Sequence, residues 1–172
     1  MLRDIKTYME IFESEPSRKK VPLKELLEQV IRGLLSRGGY GKPTIEMDIP
    51  DEAAYILADP GDMRVLFEHL IENSLEALEE KDPFVRISSK IEDAASHSIL
   101  VEIFNTGVPL REEDREKIFS PFYSTKPKGT GFGLSIARQA VRKNMGRIRI
   151  EPAGNAGTRV VLGLPLYREG GE

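Results

Sequence analysis

Residues 118–135 read IFSPFYSTKPKGTGFGLS, a run rich in small and polar residues that leads directly into a predicted helix over 134–145. Three alternating glycines lie between residues 129 and 133. Such glycines free several backbone N–H groups to face one anion, and the helix N-terminus adds partial positive charge. Lys126 and Lys128 stand beside them. The run therefore predicts a phosphate-binding loop, and the alternative is a flexible loop without a ligand.

The elements around this loop are short strands and amphipathic helices. Apolar periodicity predicts further helices over 23–37 and 60–80, and an acidic-basic run predicts a short helix over 111–118. Runs rich in β-branched residues predict strands over 44–49, 54–58, 84–91, 98–104, 147–151 and 158–164, the last two joined by a hairpin turn at 154–157. Consecutive strands with short turns predict an α/β (α+β) fold, in which a mixed, mostly antiparallel sheet carries helices on one face.

Composition excludes several classes of function. The 172 residues contain 25 Lys and Arg against 28 Asp and Glu, a net charge of −3, which argues against a nucleic-acid partner. No apolar run approaches the roughly 18 residues of a membrane span, and the N-terminus is not a signal peptide. There is no cysteine, and His69 and His97 are the only histidines, so a zinc site is not expected. We expect a cytoplasmic domain without membrane contact.

The N-terminal residues carry a separate signal. Leu2, Ile5, Met9 and Phe12 follow heptad-like spacing on a short helix, and a charged connector bounded by prolines follows at 16–22. The helix either docks on the domain or is the end of a longer bundled helix, and we favour the second reading. The predicted division is therefore 1–20 as helix end and linker, 21–168 as the main domain, and 169–172 as a frayed tail.

Two further segments contain candidate site residues. Asn73 lies at the rim of the apolar face of the 60–80 helix, with His69 one turn earlier, and its amide oxygen suits Mg²⁺. A solvated polar residue is the alternative. Asn105-Thr106-Gly107 follows a strand, where it is either a plain turn or a polar acceptor beside which a flat ring can approach the backbone.

Together and in this order, the segments resemble the GHKL ATP-binding fold, most closely the catalytic domain of a bacterial two-component sensor histidine kinase. Residues 69–77 resemble the N box, 105–107 the G1 box, 118–126 the F box and 129–134 the G2 box. Gly157-Thr158 and the closing strand resemble the last glycine motif, so the resemblance covers about 21–166.

The resemblance implies a Bergerat-type α/β sandwich that binds ATP and Mg²⁺ under a mobile lid at 123–132. Asn73 would hold Mg²⁺, Lys126 would neutralise phosphate charge, and His69 would orient groups or handle a proton. The remaining residues implied in nucleotide binding are Asn105, Gly107, Phe119, Phe122, Tyr123, Gly129, Thr130, Gly131, Gly133, Leu134 and Thr158. Of these, Phe119 and Phe122 would anchor the lid.

Three positions depart from the family pattern. Asn105 replaces the aspartate that accepts the adenine amino group, and a neutral acceptor is weaker. Pro109 replaces the second G1 glycine. His69 stands where hydrolytic members have a glutamate, which argues against efficient ATP hydrolysis.

Neither histidine has the sequence context of a phosphoacceptor, because His97 lies in a predicted turn and His69 in the N-box helix. The sequence therefore indicates a catalytic domain that transfers the ATP γ-phosphoryl group to a histidine on a dimerisation domain outside this chain. A response regulator would be reached through the full-length kinase. The alternatives are a GHKL ATPase, an anti-sigma-type serine kinase, or a nucleotide-sensing module without catalysis.

Overall fold

A computed structural model describes residues 2–93, 97–126, 129–154 and 156–169. Its α-helices are Leu2–Glu13 (α1), Leu23–Arg37 (α2), Pro60–Glu76 (α3) and Gly133–Lys143 (α4). Its strands are Lys19–Pro22 (β1), Thr44–Asp48 (β2), Tyr55–Ala58 (β3), Phe84–Asp93 (β4), Ser98–Thr106 (β5), Arg147–Pro152 (β6) and Gly157–Pro165 (β7).

The main sheet has the strand order β2-β4-β5-β7-β6. The β2–β4 pair is parallel and the other pairs are antiparallel, which confirms the predicted mixed sheet. Alternation along β4 buries Val85 and Ile87 and exposes Arg86 and Lys90. Because successive side chains point to opposite faces of a sheet, one face is packed and the other is open.

The helices cover the packed face. Helix α3 contacts β5 and α4, and α4 contacts β6, whereas α2 packs on α3 and α1 on α4. The apolar stripe predicted on the 60–80 helix is buried except at its C-terminal end. Its buried members are Met63, Leu66, Phe67, Leu70, Ile71, Ser74 and Leu75, whereas Ala77 and Leu78 are half-buried. Helices α3 and α4 are therefore fixed side by side on the sheet.

Helix α1 docks on this body through Ile5, Tyr8 and Ile11, of which only Ile5 belongs to its predicted seam. Ile11 is buried, and the Tyr8 ring lies 6.0 Å from that of Phe132 in an edge-to-face contact. Leu2 and Phe12 remain exposed, at 86% and 63%. Docking and an exposed apolar seam thus coexist on one helix, so both readings of the N-terminal segment remain open.

Three predicted elements differ most from the structure. Helix α3 ends at Glu76 rather than at residue 80, because Ala77 leaves the helix and its carbonyl accepts the Val108 N–H. The helix predicted over 111–118 is two single 3₁₀ turns, Glu112–Asp114 and Lys117–Phe119, closed by i to i+3 bonds.

The third correction concerns the connector at 16–22. Its second half is strand β1, which pairs with β3 and places Val21 opposite Ile56. Both side chains are buried, so one apolar residue among charged neighbours was enough to form the strand. At the other end, Glu169 lies 3.4 Å from Lys20, while residues 170–172 of the predicted tail lie outside the described residues.

A buried polar junction joins α3 to α4. Asn144 is fully buried; its Nδ2 donates to Asp62 Oδ2 at 2.9 Å and its Oδ1 accepts from the Asp59 N–H at 2.7 Å. Lys143 Nζ lies 3.1 Å from Asp62 and donates to Ser14 just after α1. Since buried polar groups are costly unless bonded, this network fixes the three helices in one arrangement.

Asp59 caps α3, accepting the Gly61 and Asp62 N–H groups at 2.9 and 3.1 Å. Burial alone would raise its pKa, but the N–H donors of Asp62, Ser17 and Gly61 outweigh it and lower the pKa. The cap therefore keeps its charge at the positive end of the helix dipole. In the described ranges, none of the helices has the length and apolar character that crossing a bilayer demands.

Alanine substitutions at two glycines should change the free energy of unfolding in opposite directions. Gly33 lies in the exposed middle of α2 with nothing within 4 Å of an added Cβ, so Gly33→Ala should stabilise the protein by about 0.5–1 kcal/mol. Gly107 has φ +116° and a Cβ there would lie 2.0 Å from the Ala77 carbonyl oxygen, so Gly107→Ala should cost about 1–3 kcal/mol. Urea unfolding measures both, and equal shifts of the two midpoints would contradict this packing.

Candidate functional site

A cleft opens between α3 and the glycine-rich loop that leads into α4. A cavity of about 290 Å³ forms one end, and one of about 640 Å³ forms the other. Residues common to both cavities are Asn73, Glu76, Ile118, Thr125, Lys126 and Leu134. The two cavities therefore adjoin along the C-terminal half of α3.

The smaller cavity gathers most of the predicted phosphate-binding residues. Its lining includes His69, Asn73, Tyr123, Lys126, Gly129, Thr130, Gly131, Gly133 and Leu134. A Cβ at Gly133 would lie 3.2 Å from His69 Nδ1, so the first residue of α4 stands directly against α3. Helix α4 begins there without a side-chain cap, which leaves its first N–H groups for another acceptor.

Asn73 and Lys126 meet across this cavity. Asn73 is half-buried at the rim of the apolar face of α3, where periodicity placed it. Lys126 Nζ donates to Asn73 Oδ1 at 2.9 Å and also to the Glu76 carboxylate. The Lys126 ammonium group thus already contacts the amide oxygen that the sequence predicts to be a metal ligand.

The larger cavity contains Asn105 and Thr158, together with apolar residues of α3 and of the strands. Asn105 is 2% exposed, and its Nδ2 donates to the Thr106 carbonyl at 2.9 Å. This bond holds the amide in one orientation, in which Oδ1 is the acceptor left for a ligand. Thr158 Oγ1 accepts the Leu110 N–H at 3.2 Å and so ties the β7 strand to the rim.

Three predicted residues line neither cavity. Gly107 allows the turn to approach the end of α3, rather than a ring to approach the backbone. Phe119 is half-buried against the core, and the Arg138 guanidinium lies 5.2 Å from its ring centre. Phe122 is 72% exposed, and its ring centre lies 4.7 Å from that of Phe132.

The described part of the predicted lid, 123–126 and 129–132, is fastened at both ends; Pro127 and Lys128 lie outside the described residues. At its start, the Tyr123 hydroxyl donates to Asp114, which is 2% exposed and also accepts from Arg111 Nε at 2.7 Å. The tyrosine and then the guanidinium lower the pKa of Asp114, and the carboxylate raises that of Tyr123. At its end, Phe132 is buried.

Gly131 makes the return of this loop possible. Its φ is +74°, and a Cβ there would lie 2.4 Å from the Phe122 carbonyl carbon. Any larger residue would push the loop off the F-box segment. The alternating glycines therefore let the loop fold back on itself as well as free its N–H groups.

Sequence reasoning missed the acidic side of the cleft. Asp4, Glu72 and Glu76 line the smaller cavity, and Asp114 lines the larger one. Glu76 could have been found, because it lies three residues after Asn73 and so shares its helix face. Asp114 gave no signal, because its burial depends on the F-box segment folding over it.

His97, the second histidine, lines neither cavity. It is exposed in the turn before β5, with φ 48°, as the sequence predicted for that segment. Its neighbours Ala95 and Ser96 lie outside the described residues.

Comparison with known proteins agrees with this geometry. The histidine kinase-, DNA gyrase B- and HSP90-like ATPase family matches residues 58–168. Sporulation kinase B of Bacillus subtilis is 27% identical over 163 residues, covering 94% of this chain and 37% of that protein. Sporulation kinase C of the same organism is 31% identical over 145 residues, covering 84% and 33%. The chain thus spans about a third of these relatives.

Solved structures give the same result. The catalytic domain of histidine kinase ThkA superposes with a TM-score of 0.75 at 28% identity, covering 87% of this chain and 95% of that one. Full-length ShkA, solved in complex with AMPPNP, shares the fold with a TM-score of 0.81 at 20% identity, covering 95% and 35%. The resemblance inferred from the N, G1, F and G2 boxes is confirmed: this chain belongs to the histidine kinase-, DNA gyrase B- and HSP90-like ATPase family and has the fold of a histidine kinase catalytic domain.

Proposed function

We propose that this chain binds ATP with Mg²⁺ and transfers the γ-phosphoryl group to a histidine on a dimerisation domain of the same kinase. The observation that carries the proposal is the meeting of Asn73, Lys126 and the uncapped start of α4 around one cavity. Phosphoryl transfer depends mainly on positioning and charge neutralisation, and these groups supply both.

The base and the phosphates would occupy opposite ends of the cleft. The larger cavity, with Asn105 and apolar walls, suits adenine, and the smaller one, with Lys126 and the loop N–H groups, suits the phosphates. That a protein of this fold was solved with AMPPNP supports a nucleotide as the ligand.

A divalent cation fits the residues present. The Lys126 ammonium is already bonded to Asn73 Oδ1 and to the Glu76 carboxylate, so these oxygens form a site that accepts positive charge. Asn73 would hold Mg²⁺, which prefers oxygen ligands and leaves positions for phosphates and water. Bound there, the metal would neutralise charge on the phosphates.

In the proposed reaction, an imidazole nitrogen of the acceptor attacks the γ-phosphorus while the bond to the ADP oxygen breaks. Lys126 and the α4 N–H groups stabilise the charge that develops on the phosphoryl oxygens. His69 lines the same cavity and is placed to orient a group there or to hold a proton. No residue of this chain needs to form a covalent intermediate.

The wider arrangement is also part of the proposal. Residues 1–20 would be the end of a dimerisation helix with its linker, 21–168 the catalytic domain, and 169–172 a frayed tail. The domain would work in the cytoplasm, without nucleic acid or membrane contact, and pass its signal to a response regulator through the full-length kinase. The exposed Leu2 and Phe12 side chains on α1 support a helical partner there.

The first test is transfer from γ-labelled ATP to the histidine-bearing dimerisation domain of the same kinase. With the parent protein as kinase, the dimerisation domain should become an acid-labile, alkali-stable phosphoprotein. Asn73→Ala should lower the transfer rate by about 10²-fold or more, because the metal and the phosphates lose a ligand that positions them. Circular dichroism checks that the variant is folded.

Glu68→Ala is the matched control, because it lies on α3 outside both cavities and pairs with Arg37 at 3.8 Å. It should leave transfer unchanged. Acid-stable phosphoserine, or inorganic phosphate released without an acceptor, would replace the proposal with a serine kinase or an ATPase. Binding of ATP with no transfer at all would make the chain a nucleotide sensor.

The second test concerns selection of the base at Asn105. Asn105→Asp should raise the preference for ATP over GTP by about fivefold, because a carboxylate accepts from the adenine amino group and repels the guanine carbonyl. Asn105→Ala should weaken ATP binding. Fluorescent-nucleotide titrations measure the affinities, and thermal unfolding checks each variant, since Asp loses the bond to Thr106. The same ATP-to-GTP ratio in all three proteins would show that Asn105 does not recognise the base.

A further inference from the structure

The contact between the loop and α3 pairs one cation with two oxygens on one helix face. Asn73 and Glu76 are three residues apart on α3, and both accept hydrogen bonds from Lys126 Nζ. The side chains of Lys126 and Glu76 are 38% and 41% exposed, so solvent reaches the ion pair. The pair is therefore weak enough to exchange partners.

Among the described lining residues of the same cavity, carboxylates outnumber lysine and arginine side chains. Asp4, Glu72 and Glu76 line it, and Lys126 is the only lysine or arginine among its described lining residues. A nucleoside triphosphate without metal brings about four more negative charges to this cavity. Such a ligand meets stronger repulsion than a metal-bound nucleotide, in which the divalent cation cancels about two of these charges.

We propose that Glu76 is a specificity-determining residue that makes this site select metal-bound over metal-free nucleotide, and that it does so by holding Lys126 on Asn73 until the metal complex arrives. The inference rests on the proposed function, because it takes the ligand to be a nucleotide with a divalent cation.

The two ligands affect Glu76 differently. Metal-free nucleotide must draw Lys126 away from Glu76, and the bared carboxylate then faces the phosphates without a counter-charge. The metal complex would bring positive charge to Asn73 together with the phosphates. Glu76 would therefore still have a cation nearby after Lys126 turns to the phosphates. Glu76 thus opposes the first ligand and tolerates the second.

Glu72 is the natural comparison, because it lines the same cavity but is engaged elsewhere. Its Oε1 accepts from the Tyr40 hydroxyl at 3.2 Å, and burial together with this carboxylate raises the pKa of Tyr40. A general effect of charge would be the same at Glu72 and Glu76. A specific effect through Lys126 would belong to Glu76 alone.

The experiment measures the ATP dissociation constant in EDTA and in MgCl₂ for the parent, Glu76→Gln and Glu72→Gln. In Glu76→Gln, the ratio of the EDTA value to the MgCl₂ value should fall by about two- to fivefold, the size expected of an exposed ion pair. Glu72→Gln should lower the ratio by less than Glu76→Gln does, because it removes part of the general repulsion but leaves the Lys126 ion pair intact. An unchanged ratio in Glu76→Gln, or an equal fall in both variants, would overturn the proposal.

A second readout does not depend on affinity. In nucleotide-free protein, acylation of Lys126 by N-hydroxysuccinimidyl acetate, followed by mass spectrometry, should be faster in Glu76→Gln than in the parent and unchanged in Glu72→Gln. Equal rates in all three proteins would refute the ion pair.

The inference and the proposed function fail in different ways. Binding with the expected ratios but no transfer to histidine would overturn only the function. Transfer to histidine with a ratio unaffected by Glu76 would overturn only the inference. A parent that binds no nucleotide would overturn both.

Discussion

The buried bond between Asn144 and Asp62 is the constraint on which the site depends. One wall of the cleft is α3, with His69, Asn73 and Glu76, and the other begins at the first turn of α4. Asp62 lies at the N-terminal end of α3 and Asn144 at the C-terminal end of α4, so their bond sets the relative position of both walls. Because no water reaches a fully buried Asn144, losing the bond would leave an unpaired polar group in the core.

The same junction reaches the N-terminal segment. Lys143 donates to Ser14, the Lys143 carbonyl accepts from Arg18, and Asp59 accepts the Ser17 N–H. The chain between α1 and β1 is thereby tied to the ends of both helices that form the cleft. A displacement of α1 would be transmitted to the junction of α3 and α4. This offers a physical route from the proposed N-terminal partner to the site.

How far the sequence predicted the fold and site depends on whether the signal was local. Helix α2 was predicted to its end residues, and the rim position of Asn73 followed from periodicity alone, because both depend on spacing along one element. The Arg111–Ile118 segment was predicted wrongly as a helix, since its conformation follows from the buried Asp114 and its bonds to Arg111 and Tyr123. The placement of Glu76 against Lys126 also could not be predicted, because 50 residues separate them and only the folded loop brings them together.

The central claim is that nucleotide binds between α3 and the loop at 123–132, and hydrogen–deuterium exchange measures this most directly. The loop is rich in glycine, proline and lysine, a composition that favours local opening, so its amides should exchange fast in the free protein. Adding Mg²⁺ and a non-hydrolysable ATP analogue should slow exchange in peptides from 123–132 and at the start of α4, and leave the exposed face of α2 unchanged. Equal exchange in the loop with and without saturating nucleotide would contradict the account.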